Sequence, residues 1–320
     1  MKRSKFLRNL LAVTAIPAFV KPGAAFGMIK DNTSQGPGQP GINDRGLNTE
    51  VLRLRERGLK TSLNAYSFNE PLSKGNLQPE DLLKFCAEQD FDAIDITGYY
   101  FKGYPQVPSD DVIFSFKRKA LAHGIAISGT GVRNDFTSDD PELRKAHVRT
   151  VKAWIQVAAK LGAPVLRIFT GLKYPEAAQR AQYTDMVLEN IRQCLPEAKA
   201  HGVVLAIQNH HDFVRTSEET IAILKAVNSP WLGLVLDIGS YRGPDPFNDI
   251  ERSIPYAVNW QIKEKMYING QEQDTDLTRL FKIIKSSPYR GYLPIETLGP
   301  GDPFKKVPVF LNSVRKALAE

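Results

Sequence analysis

Short apolar runs alternate with amphipathic helical patterns eight times between residues 60 and 296, and this repetition constrains the fold more than any other feature of the sequence. The runs are continuous rather than alternating, which is typical of strands buried on both faces of a parallel sheet. The predicted strands are Lys60–Tyr66, Phe91–Thr97, Ile125–Thr130, Pro164–Phe169, Val203–Gln208, Leu232–Asp237, Val258–Lys263 and Tyr292–Glu296.

The segments between the strands carry start and stop signals of helices. Asp140 precedes Pro141 at the start of one helical pattern, and Thr216 with Glu219 has the spacing of a capping box before another. Glycines at 124, 162 and 202 follow the helical patterns, where a left-handed residue would turn the chain into the next strand. Strand and helix therefore alternate regularly along the chain.

Eight strand–helix units in a domain of this length predict a (β/α)8 barrel, which is also called a TIM barrel. A doubly wound open sheet is the alternative, but no glycine-rich phosphate loop follows the first strand. Pro294 lies inside the last predicted strand and lacks an N–H for the ladder, so this strand is expected to be short or bulged.

The N-terminal part of the chain is predicted to lie outside the barrel. Residues 1–27 combine a basic head, an apolar middle and a stretch of small residues, which is the composition of an export signal, and the protein is expected in the periplasm. The apolar middle is too short to be a stable membrane anchor. Residues 28–50 form a flexible linker rich in Gly, Pro, Asn and Gln, and residues 51–320 form the barrel domain.

The charge of the chain argues against a nucleic-acid partner. The net charge is +7, but residues 1–27 hold five basic residues and no acidic one, which leaves about +2 for the rest. No basic stripe with interleaved aromatic residues is present. A small molecule is the expected partner, and the sequence leaves the oligomeric state open.

Polar side chains at the ends of the late strands predict the functional site. The carboxyl ends of the strands build the active site in a (β/α)8 barrel, and strand alternation allows Gln208, Asp237, Gln261 and Glu296 to face inward. Carboxylate and amide oxygens suit a hard divalent cation such as magnesium, manganese or calcium. The alternative is a polar plug satisfied by mutual hydrogen bonds. Candidates for substrate binding at other strand ends are Asn64, Tyr66, Asp95, Arg133, Arg167 and His211.

The late motifs VVLAIQNHHDF, LGLVLDIGS, VNWQIKE and GYLPIETLG resemble the xylose isomerase-like barrel superfamily of sugar phosphate isomerases and epimerases. The resemblance implies one divalent metal held by Glu, Asp, His and Glu at four successive strand ends. Asp237 and Glu296 agree with that pattern, whereas Gln208 replaces the first Glu and Gln261 replaces the His. His210 and Lys263 match further family positions, and both are candidate catalytic residues.

The two glutamines alter the chemistry that the resemblance implies. An epimerase of this family uses two carboxylates, one on each face of the sugar, but glutamine cannot titrate, so only Glu296 remains as a base. One base suits isomerisation, or removal of an α proton followed by loss of a β substituent. His210, Lys263 or Tyr66 are the candidates for the acid, and a metal-free site is left open.

Two functional hypotheses follow from the sequence. The first is an exported enzyme that abstracts a proton next to a carbonyl of an unphosphorylated sugar, with elimination from a 3-keto-glycoside as the more specific expectation. The second is a degenerate barrel that binds carbohydrate without turnover, which the two amides favour. Aromatic residues available to stack on a sugar in either case are Tyr66, Tyr99, Tyr100, Phe101, Tyr104 and Trp260.

Overall fold

The computed structural model describes residues 58–320. The predicted export signal (1–27), the predicted linker (28–50) and residues 51–57 of the predicted barrel domain lie outside this range and stay predictions. Among the described residues, no helix combines the length and the apolar character needed to cross a membrane.

A closed barrel of eight parallel strands confirms the predicted fold class and shows that the open sheet was the wrong alternative. In the described chain the strands are β1 Leu59–Asn64, β2 Ala93–Thr97, β3 Ala126–Gly131, β4 Val165–Phe169, β5 Val204–Gln208, β6 Leu232–Asp237, β7 Ala257–Lys263, β8 Lys265–Ile268, β9 Gln271–Asp274 and β10 Gly291–Glu296. Strands β1 to β7 and β10 form the barrel, in which β10 lies between β7 and β1.

Nine α-helices follow the strands in the described range. They are α1 Asn69–Ser73, α2 Asp81–Glu88, α3 Asp110–Ala122, α4 Pro141–Leu161, α5 Arg180–His201, α6 Ser217–Val227, α7 Pro246–Ser253, α8 Leu277–Ser286 and α9 Pro303–Ala319. The predicted caps are present: Asp140 accepts a hydrogen bond from the Glu142 N–H, and Thr216 accepts one from the Glu219 N–H. Gly162 and Gly202 end α4 and α5 with φ of 81° and 65°.

Strand alternation separates the hydrophobic core into two parts. The large part lies between the strands and the helices and includes Leu205 and Ile207 of β5. The small part comprises Val165, Ala206 and Val235, which lie on neighbouring strands. Because side chains two residues apart share a face of a strand, the residues above this small cluster, Arg167, Gln208 and Asp237, are positioned at the carboxyl end of the barrel.

Pro294 leaves β10 continuous but limits its pairing. The strand runs from Gly291 to Glu296 and pairs with β1 along most of its length. Its register with β7 covers only Ile295 and Glu296. The proline N atom cannot donate to a ladder, which accounts for the short pairing on one side. Glu296 nevertheless ends the strand beside Lys263 of β7.

The hairpin formed by β8 and β9 was not predicted. It follows β7 directly and is joined by Asn269 and Gly270, which both have positive φ, 53° and 77°. Positive φ at both positions is the geometry of a type I′ turn, for which Asn-Gly is the preferred sequence.

Candidate active site

A cavity of about 970 Å³ opens at the carboxyl end of the barrel. Of the residues predicted for the site, it is lined by Asn64, Tyr66, Asp95, Arg133, Arg167, Gln208, His210, His211, Gln261, Lys263 and Glu296. Asp237 is fully buried and does not line the cavity, but its carboxylate accepts hydrogen bonds from Gln208, Ser240 and Lys263, which do. The structure therefore brings the predicted residues into one place, with Asp237 in a supporting layer.

The carboxylate of Asp237 accepts four hydrogen bonds. Its Oδ2 atom accepts from Gln208 Nε2 at 2.8 Å, Ser240 Oγ at 2.7 Å and Lys263 Nζ at 2.8 Å. Its Oδ1 atom accepts from the Gly239 N–H at 2.9 Å. Burial alone would raise the pKa of Asp237, but the Lys263 charge and these hydrogen bonds outweigh it and hold the pKa below its usual value.

Gln208 presents its nitrogen, not its oxygen, to this cluster. Nε2 lies 2.8 Å from Asp237 Oδ2 and 2.7 Å from Gln261 Oε1. A carboxylate can only accept, so the amide orientation is fixed by the hydrogen bonds it makes. Both N–H groups of Gln208 are therefore used, and the mutual bonding of the two glutamines is what the polar-plug alternative predicts.

The ammonium group of Lys263 lies between the two carboxylates of the site. Nζ is 2.8 Å from Asp237 Oδ2 and 3.3 Å from Glu296 Oε1. Burial alone would lower the pKa of Lys263, but the attraction of both carboxylates is larger and raises it above its usual value. Burial raises the pKa of Glu296, and Lys263 opposes only part of that rise.

The predicted donor set does not fit a divalent cation in this arrangement. The family resemblance implies a divalent metal, and a hard ion needs oxygen ligands with free lone pairs. Here Asp237 already accepts four hydrogen bonds, Gln208 offers N–H groups, and the positive Lys263 Nζ lies in contact with both carboxylates. A divalent ion would have to displace Lys263 and turn Gln208.

A second cluster, formed by His210, His211 and Asp212, could hold an ion at the rim of the cavity. The three side chains are half-buried, and one ligand atom from each lies within 4.8 Å of the others. His210 Nδ1 is 2.9 Å from Asp212 Oδ2, but it makes no hydrogen bond of acceptable geometry among the described residues. Burial lowers the pKa of both histidines and so favours their neutral form.

Asp95 on β2 and Arg167 on β4 bring a carboxyl group and a guanidinium group to the cavity from the early strands. Asp95 Oδ2 accepts a hydrogen bond from Asn259 Nδ2 at 2.9 Å. Burial raises the pKa of Asp95 to about 6, the positive charge of Arg167 opposes the rise, and the negative charge of Glu296 adds to it. Arg167 donates to the Val132 carbonyl oxygen at 2.6 Å and is buried. Asp95 therefore supplies a carboxyl group that can gain or lose a proton near pH 6, and Arg167 supplies a permanent positive charge.

Aromatic side chains from the early loops form another wall. The rings of Tyr66 and Tyr99 meet edge to face, with centroids 6.4 Å apart, and Tyr104 lies 6.0 Å from Tyr99. The Tyr104 hydroxyl contacts the backbone of Arg133, and Asn64 accepts from the Tyr66 N–H. Trp260 and Phe101, considered as stacking residues from sequence, are buried in the core instead.

Several residues of the site were missed by sequence reasoning. Gly239 and Ser240 lie two and three residues after Asp237, and both donate to its carboxylate. Tyr267 and Arg242 line the cavity from the β8–β9 hairpin and from the loop after β6, and the Arg242 guanidinium lies 3.7 Å from the centre of the Tyr267 ring. The Asn-Gly turn was the available signal for the hairpin.

The sequence profile of the family described as xylose isomerase-like TIM barrel matches residues 83–314 of the chain. A curated relative from Arthrobacter globiformis, a C-glycoside deglycosidase alpha subunit, is 25% identical over 186 residues, which make up 55% of this chain and 46% of the relative. The chain spans about half the length of the curated relatives that it matches.

Two solved structures show the same barrel. D-psicose 3-epimerase, crystallised in the presence of D-fructose, superposes with a TM-score of 0.69 at 17% identity, over 82% of this chain and 100% of that chain. The apo form of 3-keto-D-glucoside 4-epimerase from E. coli superposes with a TM-score of 0.63 at 13% identity, over 81% of this chain and 99% of that chain. At these identities the likeness shows the fold.

Proposed function

The chain belongs to the xylose isomerase-like TIM barrel family, which comprises sugar isomerases and epimerases, and on that basis we propose that it removes a proton from the carbon next to a carbonyl group of a carbohydrate. The observation that carries this proposal is the setting of Glu296. Its carboxyl group ends β10 inside the cavity, is 4% exposed, and is held at Oε1 by Lys263.

Glu296 has the properties required of a general base that must also hold the proton it has removed from the substrate. Burial raises its pKa, so the protonated form is less costly here than in water. A base whose pKa lies closer to the working pH transfers protons more efficiently in both directions. Oε2 makes no hydrogen bond within the described part of the chain, so it is available for the substrate.

The reaction balances with this single base. Glu296 takes the α proton, the electrons of the C–H bond form a carbon–carbon double bond, and the carbonyl oxygen becomes an oxyanion. For isomerisation, the proton goes to the former carbonyl carbon, the hydroxyl proton of the α carbon moves to the oxyanion, and the α carbon becomes the new carbonyl. For elimination, the carbonyl re-forms, a double bond forms between the α and β carbons, and the β substituent leaves with its electron pair and receives a proton.

We favour elimination from an unphosphorylated 3-keto-glycoside. In such a glycoside, C2 lies between the C3 carbonyl and C1. Removal of the C2 proton therefore makes the substituent at C1 the leaving group. The names of the curated relative, a C-glycoside deglycosidase alpha subunit, and of a structural neighbour, a 3-keto-D-glucoside 4-epimerase, support a glycoside substrate. The predicted export signal supports a substrate met outside the cytoplasm.

The size of the cavity also supports a glycoside. Its volume of about 970 Å³ lies near the upper end of the range for ligand pockets, roughly 300–1,000 Å³. Space therefore remains for an aglycone beside the sugar ring. The tyrosine wall formed by Tyr66, Tyr99 and Tyr104 offers ring faces and edges on which such a group packs.

Solvent deuterium exchange tests the proposal. The full chain is incubated in D2O with free keto-sugars and with 3-keto-glucosides, and label and products are followed by NMR and mass spectrometry. We expect deuterium at one carbon, next to the carbonyl, and release of the aglycone. The Glu296→Gln variant should lose about 10²–10⁴-fold in exchange rate, whereas Glu142→Gln, a surface change in α4, should not.

The binding hypothesis keeps one specific observation in its favour, because Gln208, Asp237 and Gln261 satisfy one another by hydrogen bonds. A binding barrel needs no base. Carbohydrate binding of equal strength in the wild type and in Glu296→Gln, without exchange on any of the sugars, would replace the enzyme with a binding protein.

A further inference from the structure

The positive charge at the centre of this site belongs to a side chain of the protein, Lys263. Lys263 Nζ lies 2.8 Å from Asp237 Oδ2 and 3.3 Å from Glu296 Oε1, and its side chain is 14% exposed. An ammonium group has three N–H donors, and these two carboxylates use two of them. Lys263 also lines the cavity, so the third N–H is available to a bound molecule.

Gly239 leaves open the space that the side chain of Lys263 occupies. A Cβ atom at Gly239 would lie 2.8 Å from Lys263 Cδ and 2.9 Å from the backbone oxygen of Lys265. Neither contact is tolerable for a carbon atom, and the second involves backbone that cannot move aside. The Gly239 N–H in turn donates to Asp237 Oδ1. Glycine here lets the stem of Lys263 reach the carboxylates.

Lys263 already supplies a positive charge between the two carboxylates. Asp237 and Glu296 carry one negative charge each when ionised, and Lys263 compensates one of them at hydrogen-bond distance. Asp237 Oδ2 also accepts from Gln208 and Ser240, and Oδ1 accepts from the Gly239 N–H. A divalent cation placed among these groups would face an ammonium ion and the N–H side of an amide, which both repel it.

We propose that the Lys263 ammonium group takes the place of the divalent metal ion in this site, binding the carbonyl oxygen of the substrate and stabilising the oxyanion that forms there. This inference deepens the proposed function and rests on it for the identity of the substrate. The ammonium keeps its proton throughout: the electrons released by C–H cleavage move onto the carbonyl oxygen, the proton goes to Glu296, and Lys263 supplies a hydrogen bond and a positive charge.

Metal analysis of the purified full chain gives the first test and needs no substrate. After dialysis against EDTA, we expect substoichiometric metal by plasma mass spectrometry and no saturable heat of binding when Mn²⁺ or Mg²⁺ is titrated in. Because His210, His211 and Asp212 could hold an ion, the titration is repeated with His211→Asn. An ion that still binds this variant and is lost in Asp237→Asn would overturn the proposal.

Exchange kinetics give the second test. The chelated wild type should exchange the α proton at its full rate, and added Mn²⁺ should not accelerate it. Lys263→Met keeps the length of the side chain but removes the charge, and should lose about 10²–10³-fold, as expected for one oxyanion donor. Lys160→Met, which removes an exposed lysine paired with Asp110, is the matched control and should keep the wild-type rate.

A third variant separates loss of the ammonium from loss of the fold. Lys263→Ala opens the position of the side chain, and ethylammonium added to the buffer should restore part of the exchange rate, with saturation. Exchange that stops on chelation and returns with Mn²⁺ would show that Lys263 does not replace a metal. If no sugar exchanges in any form of the protein, the proposed function fails, and the titration still decides whether Lys263 is the resident cation.

Discussion

Gln208 has nearly the shape of the glutamate that the family pattern places there, but it contributes two hydrogen-bond donors instead of a charge. Both donors are used, on Asp237 and on Gln261. A carboxylate at this position would face the oxygen atoms of both partners. The amide is therefore matched to a cluster that already contains the Lys263 ammonium group.

Replacing Gln208 by glutamate tests this match. The variant loses both donors and places a second carboxylate beside the buried Asp237, 2.8 Å from the present amide nitrogen. Removing one partner of a buried polar pair lowers the free energy of unfolding by roughly 3 kcal/mol. This loss corresponds to a fall in melting temperature of about 6–12 °C for a domain of this size. We expect this loss in thermal melts at pH 8 with chelator present.

Gln156 offers the matched control on the surface of α4. Its amide donates to Glu197 at 2.8 Å, as Gln208 donates to Asp237, but both groups are exposed. Gln156→Glu should change the unfolding free energy by less than about 0.5 kcal/mol. Equal losses in the two variants would mean that burial beside Asp237 has no special cost.

At the scale of elements, the β8–β9 hairpin is the part of the cavity wall that is added to the barrel. Tyr267 and Glu272 are paired across its two strands and both line the cavity. Arg242, from the loop after β6, lies against the Tyr267 ring and donates to the Gly239 carbonyl oxygen at 2.8 Å. The hairpin thus reaches the same loop that shapes the path of Lys263.

Tyr267→Ala should weaken substrate binding and leave the chemical step unchanged. The ring belongs to the hairpin wall of the cavity, and its cation–π contact with Arg242 is worth about 1 kcal/mol, so we expect KM for 3-keto-glycosides to rise about 5-fold with kcat within about twofold. Gln273→Ala changes an exposed residue of β9 that does not line the cavity and should change neither constant. A fall in kcat with constant KM would instead place Tyr267 at the reacting atoms.

The hairpin also shows where sequence reasoning stops. All of β9, Gln271–Asp274, is exposed, so it has no alternation of apolar and polar residues to mark a strand. Its only signal is the Asn-Gly turn. The barrel strands could be predicted because each is buried on both faces, and the strand ends then predicted which polar residues meet. The reach of Lys263 could not be predicted, because it depends on the missing side chain at Gly239.

Across the whole molecule, the site is maintained at a cost to stability, and Asp95 allows that cost to be measured. Burial, partly offset by Arg167, raises its pKa from 3.8 to about 6. The folded state therefore binds the proton more tightly than the unfolded state does. The favourable contribution of this group to stability is complete below about pH 4 and is lost as the pH rises through about 6.

Asp95→Asn removes the titration and retains an oxygen that can accept from Asn259. The loss in the wild type amounts to roughly 3 kcal/mol, at about 1.4 kcal/mol for each unit of pKa. The excess stability of the variant should therefore grow between pH 4 and 6 and stay constant above, in urea unfolding at fixed ionic strength. A flat difference for Asp95→Asn would mean that Asp95 is ionised in the folded protein without cost, and that the cavity is more polar than its burial indicates.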